Sequence, residues 1–280
     1  MPNQPTFSIV TCTWNSAATL ADTLASVQAQ TCRDLEHIFV DAGSSDATLD
    51  MIAAYPGAKR VLRDVRGGIG HAMNQGIAAA GGRYVAHLHS DDYYAGPAVL
   101  ATVGRRIEEF VGILGDGDGD GDGDGDAGGG CPPAWVVGNI QVLREGRLLP
   151  PNAMPPFSYR SYAAGRAWVP HPAVFVRRDV FALVGGFDER LRYAMDVDLW
   201  LRLGALSRPA LVDAVLAVFR DHAGSVSSRN RIAARREEFA VRRRHADKAP
   251  LSFGIYCLRY LKRMHALRRL QRSADGQAQA

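Results

Sequence analysis

The chain has 280 residues, 47% of them hydrophobic, which suffices for one large domain with a full core and excludes an unfolded, highly charged chain. The formal net charge is +4, with an acidic block at 116–126 and most of the basic excess after Arg229, and no nucleic-acid-binding motif accompanies that excess. The four cysteines (Cys12, Cys32, Cys131, Cys257) have neither metal-ligand spacing nor a disulfide framework, no stretch is apolar enough to span a bilayer, and Met1 to Thr6 lacks the features of a signal peptide, so a cytoplasmic location is expected.

Phe7 to Cys12 is predicted as a first strand. Thr13 to Ser16 follows as a turn, with Asn15 or Ser16 placed to cap a helix carrying Leu20, Leu24 and Val27. Leu35 to Val40 is a second strand ending at Asp41. Ala42 to Asp46 forms a turn and cap, and Leu49, Ile52 and Ala53 then face the core. Arg60 to Leu62 is a short third strand. Gly67 to Gly70 opens a helix that runs to Ala80, and Gly81 and Gly82 close it. Tyr84 to Leu88 is a fourth strand. It leads into the adjacent carboxylates Asp91 and Asp92, and Gly96 and Pro97 stop it from continuing. Strand and helix alternate four times over short loops, which predicts a mainly parallel sheet with helices on both faces.

Asp91 and Asp92 thus fall at a strand's C-terminal tip, where open α/β sheets bind ligands. Two like charges side by side repel unless a cation lies beside them. A hard divalent ion, Mg²⁺ or Mn²⁺, that also holds a substrate diphosphate would remove the conflict; a solvated turn is the plainer alternative.

Pro97 to Phe110 is predicted as a further helix. The Asp-Gly repeat at 115–130 cannot bury apolar surface and fits no calcium-loop spacing, so a disordered surface insertion is expected there. Trp135 to Leu143 is a strand with a hairpin turn at Glu145-Gly146-Arg147, and 150–170 is an irregular loop rich in proline and aromatics. Ala173 to Val176 is a strand. Asp179 to Val184 is a short helix closed by Gly185-Gly186, and a longer helix starts at Met195. Leu211 to Phe219 is the last strand, followed by a polar loop containing His222. Beyond Arg229, basic helices follow. In the second, Leu251, Ile255, Leu258, Leu261 and Met264 form an apolar stripe opposite Arg259, Lys262, Arg263, Arg268 and Arg269. Such a helix either lies on an anionic membrane surface or packs on its own domain.

Several of these stretches form an ordered series: Ser8-Ile-Val-Thr11-Cys-Thr13-Trp-Asn15, Val40-Asp41-Ala-Gly43-Ser44-Ser-Asp46, Gly68 to Gly76, Ser90-Asp91-Asp92, Gly185 to Glu189, and Met195-Asp196-Val-Asp198-Leu199-Trp200. The series resembles the family 2 glycosyltransferases of the GT-A fold, of the type that builds bacterial surface polysaccharides, over residues 6–227. The resemblance implies a Rossmann-like, mixed and mainly parallel sheet flanked by helices at 1–228. Residues 1–110 would be the nucleotide-sugar half and 131–228 the acceptor half, with a basic helical extension at 229–280. It implies donor contacts from Thr11, Thr13, Asn15, Asp41, Ser44 and Asp91; the plainer alternative for Asp41 and Ser44, that they only build the turn and cap, is disfavoured by their place at a strand tip. Asn74 would hydrogen-bond within the fold.

The same resemblance puts the metal on Asp92. His222 would be a third ligand or phosphate contact, or else a plain loop histidine. The catalytic base falls on Asp196, with Asp198 as competitor; many relatives have Glu-Asp where this chain has Met195-Asp196. The activity implied is an inverting, metal-dependent transfer of one sugar from a UDP-, GDP- or dTDP-linked donor to a sugar or lipid-linked acceptor hydroxyl. It would serve surface polysaccharide or glycolipid synthesis, with a peripheral position on the inner face of the membrane as the implied alternative to a purely cytoplasmic one. No Gln-x-x-Arg-Trp motif of processive synthases is present. Two rivals use the same aspartates. A nucleotidyltransferase would want a Gly-rich, basic loop after the first strand, which Thr11 to Ser16 lacks. A metal hydrolase would use His87, His89 and Asp91 as ligands. A non-catalytic carbohydrate-binding module is the third alternative.

Overall fold

Alternating side chains give the first strand, β1 (Phe7–Thr13), two apolar faces: Phe7 and Ile9 join one core cluster, Val10 and Cys12 the other. The computed structural model describes residues 4–113, 131–221 and 230–278, with side chains at 4–112, 131–221 and 230–269. The expected Asp-Gly insertion and His222 lie outside the described residues.

A parallel half-sheet comes first. β2 (Leu35–Asp41) pairs with β1 in register from Phe7↔Leu35 to Thr13↔Asp41, β3 (Lys59–Leu62) follows outside it, and β4 (Tyr84–His87) lies on the other side of β1. Beyond β4 the sheet becomes mixed. β8 (Val174–Arg177) is antiparallel to both β4 and β6 (Trp135–Arg144), and β9 (Ala210–Asp221) runs parallel to β6. β7 (Arg147–Leu148) pairs back on β6 as the expected hairpin. At the far edge Tyr93 and Tyr94 form a two-residue strand, β5, antiparallel to β9. The fourth strand does not continue through this pair, as expected; β9 supplies the ladder for a separate short strand.

Helices cover both faces. On one lie α3 (Ile69–Ala79), α6 (Arg178–Val184) and α7 (Met195–Leu206), whose Met73, Phe181, Leu199 and Trp200 pack on Val10, Val40 and Val137. On the other, α4 (Val99–Ile113) packs Leu100 and Val103 against Phe7, Ile9 and Phe175. α3 lies so close to β1 that a Cβ at Gly76 would sit 2.3 Å from Val10 Cγ1, which is why glycine stands there. α1 (Leu20–Gln28) and α2 (Thr48–Ala54) flank the first strands. The expected cap of α1 is absent: its N-cap is Thr19 without a side-chain bond, and the Ser16 carbonyl accepts the N–H groups of Thr19 and Leu20 instead. Within the stretch expected to be irregular, Ser158 caps a one-turn helix, α5 (Tyr159–Ala163).

The C-terminal helices, α8 (Arg231–Arg244) and α9 (Pro250–Ala278), pack against this domain. Arg242, itself buried, donates to the carbonyls of Tyr162 and Ala163, and Arg244 pairs with Asp188 at 2.9 Å. The apolar stripe expected on α9 is split. Met264 is buried, as is Tyr256, whereas Leu251, Leu258 and Leu261 are 86%, 71% and 64% exposed. Both faces of this helix carry apolar residues, and the aromatic one, meeting Phe239 of α8, is the one that packs.

Candidate active site

The tips of β1, β2 and β4 all point to one edge, because these strands are parallel. The loops that leave them are tied together by their own polar side chains. Asp41 is fully buried. It accepts the Thr13 hydroxyl at 2.9 Å, the Ser44 hydroxyl at 2.5 Å, and the N–H groups of Gly43 and Ser44 at 2.9 and 2.8 Å. Burial alone would raise its pKa, but these bonds hold the carboxyl below its ordinary range. Asn15 adopts φ +49° and accepts the Ser45 N–H at 2.9 Å, while its own N–H donates to Ser44 Oγ. Ser16 Oγ and Ser90 Oγ share a hydrogen bond at 2.8 Å, which links the first loop to the Asp-Asp turn.

Thr11 is a correction. It is fully buried, and its hydroxyl bonds the Leu88 carbonyl at 2.8 Å and His37 Nε2 at 2.9 Å. It joins β1 to its neighbours and does not face the cleft. Thr13 and Asp41 are likewise engaged with one another, so of the expected donor residues Asn15, Ser44 and Asp91 are the more accessible.

Asp92 is 1% exposed, and Asp91 beside it is half-buried. Burial first, then the Asp91 charge, drives the Asp92 pKa well above the ordinary carboxylate range. The Arg220 backbone N–H on Asp92 Oδ1 at 3.0 Å offsets part of this. A buried carboxyl crowded by a second one is a donor set that a hard divalent cation relieves, so the residues fit Mg²⁺ or Mn²⁺. Among the described residues no group of three or more His, Cys, Asp or Glu side chains could hold a metal. Within the described residues, an ion at this turn would draw its other ligands from substrate phosphates and water. The same observation tells against the hydrolase alternative. His87 is buried among the rings of His171, Phe181 and Phe187, and burial lowers its pKa to about 3, while His89 stacks on His171 at 4.8 Å.

α7 brings its first turn to the same edge. Met195 Sδ lies 3.6 Å from the Cβ position of Gly70, at the start of α3. The turn before α7 is pinned to α3 as well. Asn74 donates to the Phe187 carbonyl (2.9 Å) and to Glu189 (2.8 Å) and accepts the Phe187 N–H (2.9 Å), and His71 Nδ1 meets Glu189 at 3.0 Å. Between the Asp-Asp turn and α7 run the rings of His89, His171 and Trp200, with His171 5.8 Å from Trp200. Asp196 lies one helical turn before Trp200 and lines two cavities, of about 430 and 340 Å³. Desolvation raises its pKa from 3.8 to about 6, with the Val197 N–H on Oδ1 (2.7 Å) partly offsetting that. Asp198 differs. It is buried, paired with Arg202 at 2.8 Å and bonded to His245 Nε2 at 3.2 Å. Although burial opposes it, these partners keep its pKa low. Arg202 in turn holds the carbonyls of Val184 and Gly186. Asp198 is thus committed to bracing α7.

Residues 8–128 match the family described as Glycosyl transferase family 2. An uncharacterized glycosyltransferase of Mycobacterium tuberculosis is 32% identical over 221 residues, which cover 78% of this chain and 76% of that protein. The chain belongs to glycosyltransferase family 2. A PGL/p-HBAD biosynthesis glycosyltransferase of Mycobacterium bovis is 31% identical over 212 residues, 74% of this chain and 72% of that one. Two solved structures share this glycosyltransferase's fold. TarS of S. aureus, residues 1–349 in complex with UDP-GlcNAc, gives a TM-score of 0.64 at 18% identity; the match covers 84% of this chain and 65% of that one, slightly under two thirds of its length. The mannosyltransferase PcManGT of Pyrobaculum calidifontis, in complex with GDP-Man and Mn²⁺, gives 0.56 at 17%, covering 100% and 82%.

Two residues that build the candidate site of this glycosyltransferase escape the sequence. Arg220 clamps the Asp-Asp turn from β9: its backbone holds Asp92, its Nε donates to the Asp91 carbonyl at 3.0 Å, and its guanidinium pairs with Asp22 at 2.5 Å while lying over Tyr93. A lone arginine at a strand end gives no signal for that role. Glu237, on α8, accepts the backbone N–H groups of Arg192, Tyr193 and Ala194 at 2.6 to 3.1 Å and so fixes the entry to α7. It sits in a run of arginines that reads as a solvated helix.

Proposed function

We propose that the chain transfers one sugar from a nucleotide diphosphate sugar to an acceptor hydroxyl with inversion, using Asp196 as base and Asp91 with Asp92 to hold a divalent cation. Two unlike acidic groups support the reading: a crowded Asp-Asp turn after β4, and a desolvated Asp196 that opens onto cavities in the first turn of α7, a turn whose Met195 lies against the start of α3. Its similarity to a PGL/p-HBAD biosynthesis glycosyltransferase supports the transfer, and the complexes of its structural neighbours with UDP-GlcNAc and GDP-Man support a donor of this class.

A pKa near 6 suits a base at neutral pH: mostly ionised, yet basic enough to take a proton as a bond forms. The acceptor oxygen would attack the anomeric carbon from the face opposite the diphosphate. Its proton passes to Asp196, and the bond from the anomeric carbon to the phosphate oxygen breaks, with its electron pair leaving on the nucleoside diphosphate. A bound Mg²⁺ or Mn²⁺ would neutralise charge on that departing group. Asn15 and Ser44 are proposed to line the nucleoside, with Asp41 and Thr13 holding their loops in place.

The reading extends to a peripheral contact with anionic membrane. Leu251, Leu258 and Leu261 recur on one exposed face of α9, with Lys262 and Arg269 beside them, and among the described residues no helix is long and apolar enough to cross a bilayer. The test of the activity is release of nucleoside diphosphate from a panel of UDP-, GDP- and dTDP-sugars with Mn²⁺ or Mg²⁺. Turnover with one or two donors, abolished by chelator and by Asp92→Ala, is expected. Full turnover in chelator would remove the metal from the account.

A further inference from the structure

The smaller cavity at Asp196 has an unusual wall. It is formed by the loop from Tyr162 to Val169, by Asp196, and by five arginines from that loop, α8 and α9, against which stands one other carboxylate, Glu238. Glu238 is already taken: Arg235 pairs with it at 2.5 Å and Arg242 at 3.0 Å, and Arg242 is further consumed by the Tyr162 and Ala163 carbonyls and the rings of Tyr162 and Tyr256. Arg259 and Arg263 have no such use. Neither has an ion-pair partner within 4.0 Å among the described residues, and the Arg259 Nε is buried with no hydrogen-bond partner. Arg259 and Arg263 lie one turn apart on α9, so their forks reach the same space. Burial, then the neighbouring Arg235 charge, lowers the pKa of Arg263, and the charge of Glu238, already paired with Arg235 and Arg242, offsets only part of this. A buried guanidinium donor without an acceptor costs free energy that an anion would return, and two adjacent forks match phosphate oxygens.

We propose that this cavity binds the anionic group, a phosphate or diphosphate, of an acceptor whose hydroxyl is presented to Asp196, with Arg259 and Arg263 as its ligands. The proposal rests on the transferase reading above and narrows its acceptor to a class: a phosphate-bearing sugar or lipid rather than a neutral glycoside. A volume of about 340 Å³ accommodates a diphosphate and part of a sugar, and the wall shared with Asp196 sets the charge next to the base. The C-terminal helices thereby become part of the acceptor site.

The experiment compares transfer by the full chain to a long-chain alkyl diphosphate sugar and to the matching uncharged alkyl glycoside, with acceptor-free donor hydrolysis measured alongside. The wild type should favour the charged acceptor at least about ten-fold in kcat/KM, the size expected of a charge-assisted pair. Arg259→Gln and Arg263→Gln should each erase most of that preference, while donor hydrolysis and the uncharged acceptor change less than about two-fold. Arg263→Lys keeps the charge and should restore part of the preference, which separates charge loss from misfolding. Calorimetry with decyl diphosphate, without divalent cation or donor, should show saturable binding that the double variant loses. Equal use of both acceptors by the wild type, or an equal fall for both in the variants, overturns the proposal. Loss of phosphatidylglycerol vesicle binding in the double variant with transfer unchanged also overturns it and assigns the arginines to lipid headgroups. Absence of any transfer or donor hydrolysis, with decyl diphosphate binding intact, would sink the transferase reading while sustaining the anion site.

Discussion

The two halves of the site spend their polar groups differently. On the donor side, Thr11, Thr13, Asp41 and Ser44 are bonded chiefly to one another and to backbone, so the tips of β1 and β2 form a rigid frame before any ligand arrives. On the acceptor side, among the described residues, Asp196 is held by local backbone N–H groups, and Arg259 and Arg263 have no ion-pair partners. Satisfied groups rigidify a scaffold; unsatisfied ones mark where an outside partner completes the chemistry. The contrast therefore separates residues whose loss unfolds the frame from residues whose loss stops the reaction.

Asp196→Asn should break that contrast most visibly if it fails. Removing a general base predicts a loss of about 10²–10⁴ in kcat for transfer. Nucleoside diphosphate binding should stay near wild type, because the frame is untouched. The change should also stabilise the protein at alkaline pH. A carboxyl whose folded pKa is raised from 3.8 to about 6 favours folding at low pH, and that benefit disappears as pH rises through about 6. Melting temperatures of the two proteins at pH 5 and pH 8 check this.

Much of the frame is legible in the sequence, because β1 to β4 alternate with helices whose apolar spacing is unambiguous. The Asp-Asp turn is legible too, since glycine and proline punctuate it. What local sequence does not carry is which polar groups find partners. Thr11 looks like a cleft residue until His37, 26 positions away, is seen on its hydroxyl. Glu237 looks like one more charge on a basic helix until the chain folds the entry of α7 against it. The stripe on α9 fails for a related reason: apolar residues lie on two faces, and only the aromatic partner Phe239 decides which is covered.

The next effects are smaller and fall on the frame. Asp41→Ala leaves the Thr13 hydroxyl and two backbone N–H groups without an acceptor, which predicts a loss of about 3 kcal/mol in denaturant unfolding. Ser44→Ala removes a single hydroxyl from the same carboxylate and should cost about 1 kcal/mol. Smallest in stability is Leu258→Ser, on the exposed face of α9, with a change within about 0.5 kcal/mol. It should nevertheless weaken sedimentation with anionic vesicles, and unchanged sedimentation would detach that face from the membrane.

The pH dependence of kcat/KM, taken side by side for the wild type and Asp196→Asn, reaches the centre of the account. The wild type should gain about ten-fold per pH unit up to a plateau that begins near pH 6, and the residual activity of the variant should be flat across that range. A variant that keeps both the wild-type limb and the wild-type rate would show that the acceptor's proton goes elsewhere.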